Sequence, residues 1–273
     1  MIHLKSDREI EQLRVSADLV SRTLGELARH VAPGITTAEL DRIAEEYIRD
    51  HGAVPAFKGY QVGKEVFPAT LCTSVNEEVV HGIPSDRVLE DGDLLSADCG
   101  VIINGFYGDS AFTFAVGSPS EDNKVLCTAT HDALQAGVSQ AIGGNRLGDI
   151  GAAVQTVCED GGFGVVRDLV GHGIGRHLHE DPQVPNYGRQ GTGRKLKTGL
   201  VICIEPMVNR GTSAVETESD GWTVQTADSS VSAHYEHMVV VRKGKPEVLT
   251  SFSYVEQILE ELPYNTNLEM AHG

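Results

Sequence analysis

Apolar residues recur at three- and four-residue steps from Ile10 through Leu13, Ala17, Val20, Leu24 and Leu27 to Val31. This spacing predicts an amphipathic helix over 7–31. Ser6 and Glu9 form a capping box at its start, hydroxyl to the third amide and carboxylate back to the first, and Pro33-Gly34 stops it. Thr36 with Glu39 opens a second helix whose apolar face is Leu40, Ile43, Ala44, Tyr47 and Ile48, closed by His51-Gly52. The pattern then returns. Ser120 opens a helix carrying Val125, Leu126, Ala129, Leu134 and Val138 as far as Ile142, stopped at Gly143-Gly144, and a further helix carries Leu147, Ile150, Ala153, Val154 and Val157 up to Gly161-Gly162. The two stop signals lie 110 residues apart, and the same offset sets Leu40 on Ile150 and Ile43 on Ala153. Strand-like runs follow each helix pair. The expectation is an α+β fold made of two similar halves, 7–117 and 120–250, each two helices followed by strands, within one domain spanning 1–273.

The segment 93–117, DLLSADCGVIINGFYGDSAFTFAVG, contains Asn104-Gly105, a strong signal for a two-residue hairpin turn. With those two residues as the loop, Ile103 pairs with Phe106, Asp98 lies opposite Ala111, and Asp109 lies opposite Gly100. Side chains alternate along a strand, so Asp98 and Asp109 point to one face as diagonal neighbours, roughly 7 Å apart at the backbone. The other face carries Ala97, Cys99, Val101, Ile103, Phe112 and Phe114 and is apolar. Two carboxylates so close repel each other. A shared proton, full exposure to water, or a cation between them would reconcile the pair.

Three further segments bear on that choice. In VGHGIGRHLHEDP (170–182) glycine flanks His172 on both sides, so the backbone there can approach closely whatever the imidazole touches, and His179 follows seven residues on. In LVICIEPM (200–207) an apolar run ends in Glu205, and Pro206 interrupts the ladder. In AHYEHMVVV (233–241) Glu236 immediately precedes another apolar strand. Four carboxylates and one imidazole carry a formal charge that two divalent cations would neutralise. An oxygen-rich set with one nitrogen suits Mn, Fe, Co or Zn, and a paired-metal site can activate water and polarise a carbonyl, as peptide hydrolysis requires.

Bulk properties narrow the classes. The five cysteines are odd in number and contain no CxxC pair, which argues against a disulfide framework or a thiolate zinc site and for reduced thiols in the cytoplasm. The N-terminus has no secretory pattern, and no run is long and apolar enough for a membrane span. A net charge of -17 disfavours nucleic-acid binding. That charge is read either as a solubility device or as adaptation to a salt-rich cytoplasm, where excess carboxylate is screened.

The segments SVNEEVVHGIP (74–84), SADCGVIINGFYGDSAFTF (96–114), GHGIGRHLHEDP (171–182), IEPM (204–207) and WTVQTADSSVSAHYEHMVVV (222–241) resemble those of the methionine aminopeptidases of type I, in order and over nearly the whole chain. The chain begins at its first helix, without the zinc-binding extension of eukaryotic type I forms or the helical insertion of type II forms, which resembles the bacterial subclass. The resemblance implies the pita-bread fold, with two pseudo-symmetric halves around a curved central sheet. It implies two divalent metal ions held by Asp98, Asp109, His172, Glu205 and Glu236. Asp98 and Glu236 would be the bidentate and bridging carboxylates, Asp109 the other bridging group, and Glu205 also the proton shuttle. His81 would lie near the leaving nitrogen and His179 near the scissile carbonyl. Tyr60, Phe67, Cys72, Leu178 and Trp222 would wall a pocket for the methionine side chain, to which sulfur and aromatic contacts are suited. Residues 61–66 lengthen the usual turn between Gly59-Tyr60 and Phe67-Pro68, and Leu178 stands where some members carry Phe. The implied activity is removal of the initiator methionine from nascent chains with a small second residue, by a cytoplasmic monomer working at the ribosome. The rival readings are an aminopeptidase of the same fold acting before proline, and a metal-free binding module.

Overall fold

The computed structural model describes residues 2–261. Five helices are present among them: α1 (Asp7–Ala28), α2 (Thr37–Asp50), α3 (Glu121–Ser139), α4 (Leu147–Asp160) and α5 (Ser253–Glu261). The capping box of α1 is formed, with Ser6 N donating to Glu9 Oε2 at 3.1 Å and Glu9 N to Ser6 Oγ at 3.4 Å. Every member of its apolar stripe is buried. The helix ends before Val31, where His30 N and Val31 N both turn back to Leu27 O at 2.9 and 3.0 Å. Likewise α3 ends at Ser139 and not at Ile142, because Ala141 N and Ile142 N bond Val138 O and Gln140 O and wind the chain off the helix axis. Val125 is a correction. It is 55% exposed, and the buried face of α3 runs through Leu126, Cys127, Thr130, Leu134 and Val138, one position round from the predicted stripe.

The repeat is clear in the second helix of each pair. α2 and α4 each have 14 residues, and α4 starts and ends 110 positions after α2. Each half then contributes an antiparallel sheet. In the first, Leu94–Ile103 is central, flanked by Leu71–Val75, Val54–Pro55 and Phe106–Ala115. In the second, the order is Glu180–Val184, Gly171–Gly173, Val201–Ile204, His237–Val240 and Glu247–Val248. The predicted hairpin register holds without a bulge: Ile103 faces Phe106, Asp98 faces Ala111, and Gly100 faces Asp109.

The sheets meet along a seam between Phe106–Ala115 and residues 234–236. Glu236 N donates to Ala111 O at 2.9 Å, Ser110 Oγ to Glu236 O at 2.7 Å, and Thr113 Oγ1 to His234 O at 2.7 Å. Behind the sheets, one apolar cluster draws on both halves, from Leu19, Leu24 and Phe112 to Ile150, Ile204 and Val239. Burying the backs of both sheets against the helices leaves their concave side to carry polar chemistry.

Candidate active site

Asp98, Asp109 and His172 stand on strands, and Glu205 and Glu236 stand immediately beside strand ends. Asp98 lies at the centre of Leu94–Ile103, opposite Ala111 on one side and Cys72 on the other. Asp109 comes from the partner strand. Gly100, opposite Asp109, has no Cβ because one would lie 2.5 Å from Phe57 Cε1, so glycine there lets the aromatic ring reach the site. His172 sits on Gly171–Gly173, squeezed between its neighbours. A Cβ on Gly171 would meet Cys203 O at 2.4 Å and one on Gly173 would meet Asp181 O at 2.3 Å. Glu205 follows Val201–Ile204, and its carbonyl accepts from Asn186 Nδ2 at 2.9 Å. Glu236 is held at the seam.

The charges of this cluster are uncompensated by the protein. Asp98 Oδ1, Asp109 Oδ1, Glu205 Oε1 and Glu236 Oε1 are all buried without a hydrogen-bond partner. Burial above all, then the charges of Glu236 and Asp98, pushes Asp109 well above the ordinary carboxylate range. Burial followed by the neighbouring carboxylates does the same to Glu205 and Glu236. Burial raises Asp98 to about 7, against the pull of its hydrogen bond with Asp109. His172 sharpens the point. Its Nδ1 lies 2.9 Å from Gly173 O, which can only accept, so Nδ1 carries the proton and Nε2 presents a lone pair. That lone pair lies 3.7 Å from Asp109 Oδ2 and 3.5 Å from Glu205 Oε1. Burial holds the imidazole neutral, its pKa down to about 3. Lone pairs and unpartnered carboxylate oxygens facing one another in a buried site fit a divalent cation, which satisfies them at once. A Glu–Asp–His donor set is what such ions take.

The same cavity, about 110 Å³, is lined by all twelve residues singled out from the sequence. Tyr60 and Phe67 stand side by side, joined by Phe67 N to Tyr60 O at 2.8 Å. Trp222 packs edge-on against Phe67, ring centroids 5.2 Å apart. The Asp220 carboxylate fixes the turn that carries Trp222 by accepting from Trp222 N at 2.8 Å and Thr223 N at 2.9 Å. The lengthened 61–66 segment leaves Tyr60 in the site: its Oη lies 2.6 Å from His179 Nδ1. The loop carrying His179 is tied down by Glu180, which accepts from Arg176 N at 2.9 Å and pairs with Lys5 Nζ at 2.5 Å. His81 has φ 60, a left-handed conformation uncommon for histidine. Its neighbour Gly82 holds it there by donating to Ser74 Oγ at 3.1 Å and accepting from Thr73 N at 2.8 Å. Burial lowers the pKa of His81, to about 4, and that of His179, keeping both imidazoles neutral.

Three residues were missed from the sequence. Phe57 and Val62 also line the cavity. Cys203 groups with Asp109, His172 and Glu236, ligand atoms all within 4.8 Å of one another. Cys203 precedes Glu205 by two residues, so strand alternation carried the signal that both face inward. Nothing local signalled Phe57, which reaches the site only because Gly100 makes room across the sheet.

The model of metallopeptidase family M24 matches residues 11–243. A methionine aminopeptidase of Clostridium acetobutylicum is 52% identical over 251 residues, 92% of this chain and 99% of that protein. One from Clostridium perfringens is 52% identical over 250 residues, covering 92% of this chain and 99% of its own. The crystal structure of the methionine aminopeptidase of Rickettsia prowazekii superposes with a TM-score of 0.89 at 40% identity, covering 92% of this chain and 100% of that one. On this agreement of sequence, fold and buried donor set, the chain belongs to metallopeptidase family M24 and, within it, to the methionine aminopeptidases.

Proposed function

We propose that this enzyme removes the N-terminal methionine from nascent polypeptides whose second residue is small, using two divalent ions (Mn, Fe, Co or Zn) held by Asp98, Asp109, His172, Glu205 and Glu236. Four carboxylates with buried, unpartnered oxygens on the floor of an aromatic-walled cavity support this reading most directly. Bound ions supply Lewis acidity for the scissile carbonyl and for the attacking water.

The remaining work falls to side chains. Phe57, Tyr60, Phe67, Cys72, Leu178 and Trp222 enclose the methionine side chain, an apolar fit that sets the register of the peptide over the carboxylates. Glu205 takes the proton of the attacking water and returns it to the departing amine. Tyr60 stays protonated because burial, then the nearby Tyr107, raises its pKa. Its hydroxyl donates to His179 Nδ1, leaving Nε2–H to donate to the oxygen of the scissile carbonyl as negative charge develops there. His81, neutral and held in its unusual backbone conformation, donates at the leaving nitrogen.

No helix among the described residues is long and apolar enough to cross a membrane. We place the enzyme in the cytoplasm, acting as a monomer on chains emerging from the ribosome. The test is methionine release from Met-Ala-Ser by metal-stripped protein, with each metal added back in turn. No release with any metal, or faster cleavage of Ala-Pro peptides, overturns the proposal.

A further inference from the structure

Residues 61–66 form a two-stranded ribbon, Gln61–Val62 against Glu65–Val66, turning at Gly63 with φ 61. Its register pairs Gln61 with Val66 and Val62 with Glu65. Cross-strand partners share a face, so Val62 and Glu65 lie on one side and Gln61 and Val66 on the other. The Val62 side looks into the substrate cavity, which Val62 lines. Glu65, on the same side, leans on the turn before Trp222, where a Cβ at Gly221 would lie 3.4 Å from Glu65 Cγ. The ribbon grows directly out of the pocket wall. Gly59 N bonds Phe67 O and Phe67 N bonds Tyr60 O, each at 2.8 Å, immediately below its first pair. Val62 is nonetheless 55% exposed. A two-stranded ribbon is marginal in water unless something packs against it.

We infer that this ribbon is an outer subsite for the substrate, in which Val62 makes apolar contact with the side chain of the peptide's third residue. The inference rests on the aminopeptidase reading above and adds to it. The carboxylates and Cys72 close the floor of the cavity, so a peptide whose first residue is buried must leave past the mouth that Val62 flanks. In an extended peptide successive side chains point to opposite sides, so the third residue shares the side of the first. The first residue's side chain enters between Tyr60, Phe67 and Trp222. The third therefore meets the continuation of that wall, which is the ribbon. The second residue points away from it.

The test compares methionine release from Met-Ala-Leu and Met-Ala-Asp by the metal-loaded enzyme and by Val62→Ser and Val62→Asp. The wild type should favour the leucine peptide in kcat/KM by about fivefold, the scale of one partly buried aliphatic contact. Val62→Ser should bring the ratio close to one, and Val62→Asp should bring it to one or below. Melting temperature and metal content establish that the variants are folded and loaded. Methionine release with the same ratio in wild type and both variants overturns this inference alone. No methionine release from either peptide by the wild type overturns the aminopeptidase reading as well.

Discussion

Glu236 donates its backbone N–H to the carbonyl of Ala111 at 2.9 Å, and Ala111 is the cross-strand partner of Asp98. One bond thus sets the distance between a carboxylate of the second half and the two carboxylates of the first. The Ser110 hydroxyl, donating to Glu236 O at 2.7 Å, holds the same junction from the next residue. The candidate metal centre is therefore built across the contact between two repeats, and its geometry depends on that contact as much as on the ligands.

Ser110→Ala should lower stability by about 1–2 kcal/mol, because it removes a buried hydrogen bond and leaves the Glu236 carbonyl without it. Metal affinity should fall with it. Urea unfolding of the stripped protein and metal titration of the folded variant measure the two effects; an unchanged affinity would mean that the seam does not position Glu236.

Metal-stripped protein should lose stability as pH rises above neutrality. Asp98 has a folded pKa of about 7, above its ordinary value, and Asp109, Glu205 and Glu236 are raised with it. A raised pKa means that the folded state holds the proton more tightly than the unfolded one. The contribution is full below the unfolded pKa and is lost as pH climbs through about 7. The buried neutral histidines, whose folded pKa values lie below 6.5, act in the opposite direction only below that pH. Melting temperatures of the stripped protein should therefore fall between pH 7 and pH 9, and Mn²⁺ should recover most of the loss at pH 9. A flat profile would place these carboxylates in a wetter site than the structure shows.

Glu205→Gln should preserve the fold and lower turnover of Met-Ala-Ser about 100-fold or more, the scale of a lost general acid–base group. Near-normal turnover by this variant would remove Glu205 from proton transfer.

Tyr60→Phe keeps the aromatic wall and removes only the hydroxyl that bonds His179 at 2.6 Å. Turnover of Met-Ala-Ser should fall about tenfold while metal content holds, since the imidazole loses the partner that fixes which nitrogen carries the proton. A change in KM with no change in kcat would assign the hydroxyl to binding alone.

Lys5→Ala should destabilise the protein by about 3 kcal/mol, because it leaves the Glu180 carboxylate buried without its ion partner. The loop carrying Leu178 and His179 should loosen with it, seen as faster amide exchange at Arg176 and His177, whose N–H groups bond Glu180.

Much of this was legible along the chain, for local reasons. Helical periodicity and capping residues placed the helix pairs, because an amphipathic helix advertises its buried stripe at fixed spacing. Asn104-Gly105 set the register that puts Asp98 and Asp109 on one face, because a two-residue turn leaves no freedom in pairing once both strands are regular. Val125 and the far end of α3 escaped, since an apolar residue beside a stripe does not say on which side of it the core lies. His172, Glu205 and Glu236 were grouped with the aspartates through family likeness, since they lie far apart in sequence and no local rule brings them together. In space their side chains meet in one cavity, brought there by the seam bond from Glu236 to Ala111 and by the glycines that let the His172 strand pack closely. Phe57 and Val62 belong to the same class: the place of Phe57 depends on Gly100 leaving room across the sheet and that of Val62 on the path of the 61–66 ribbon, and only the packed structure decides either.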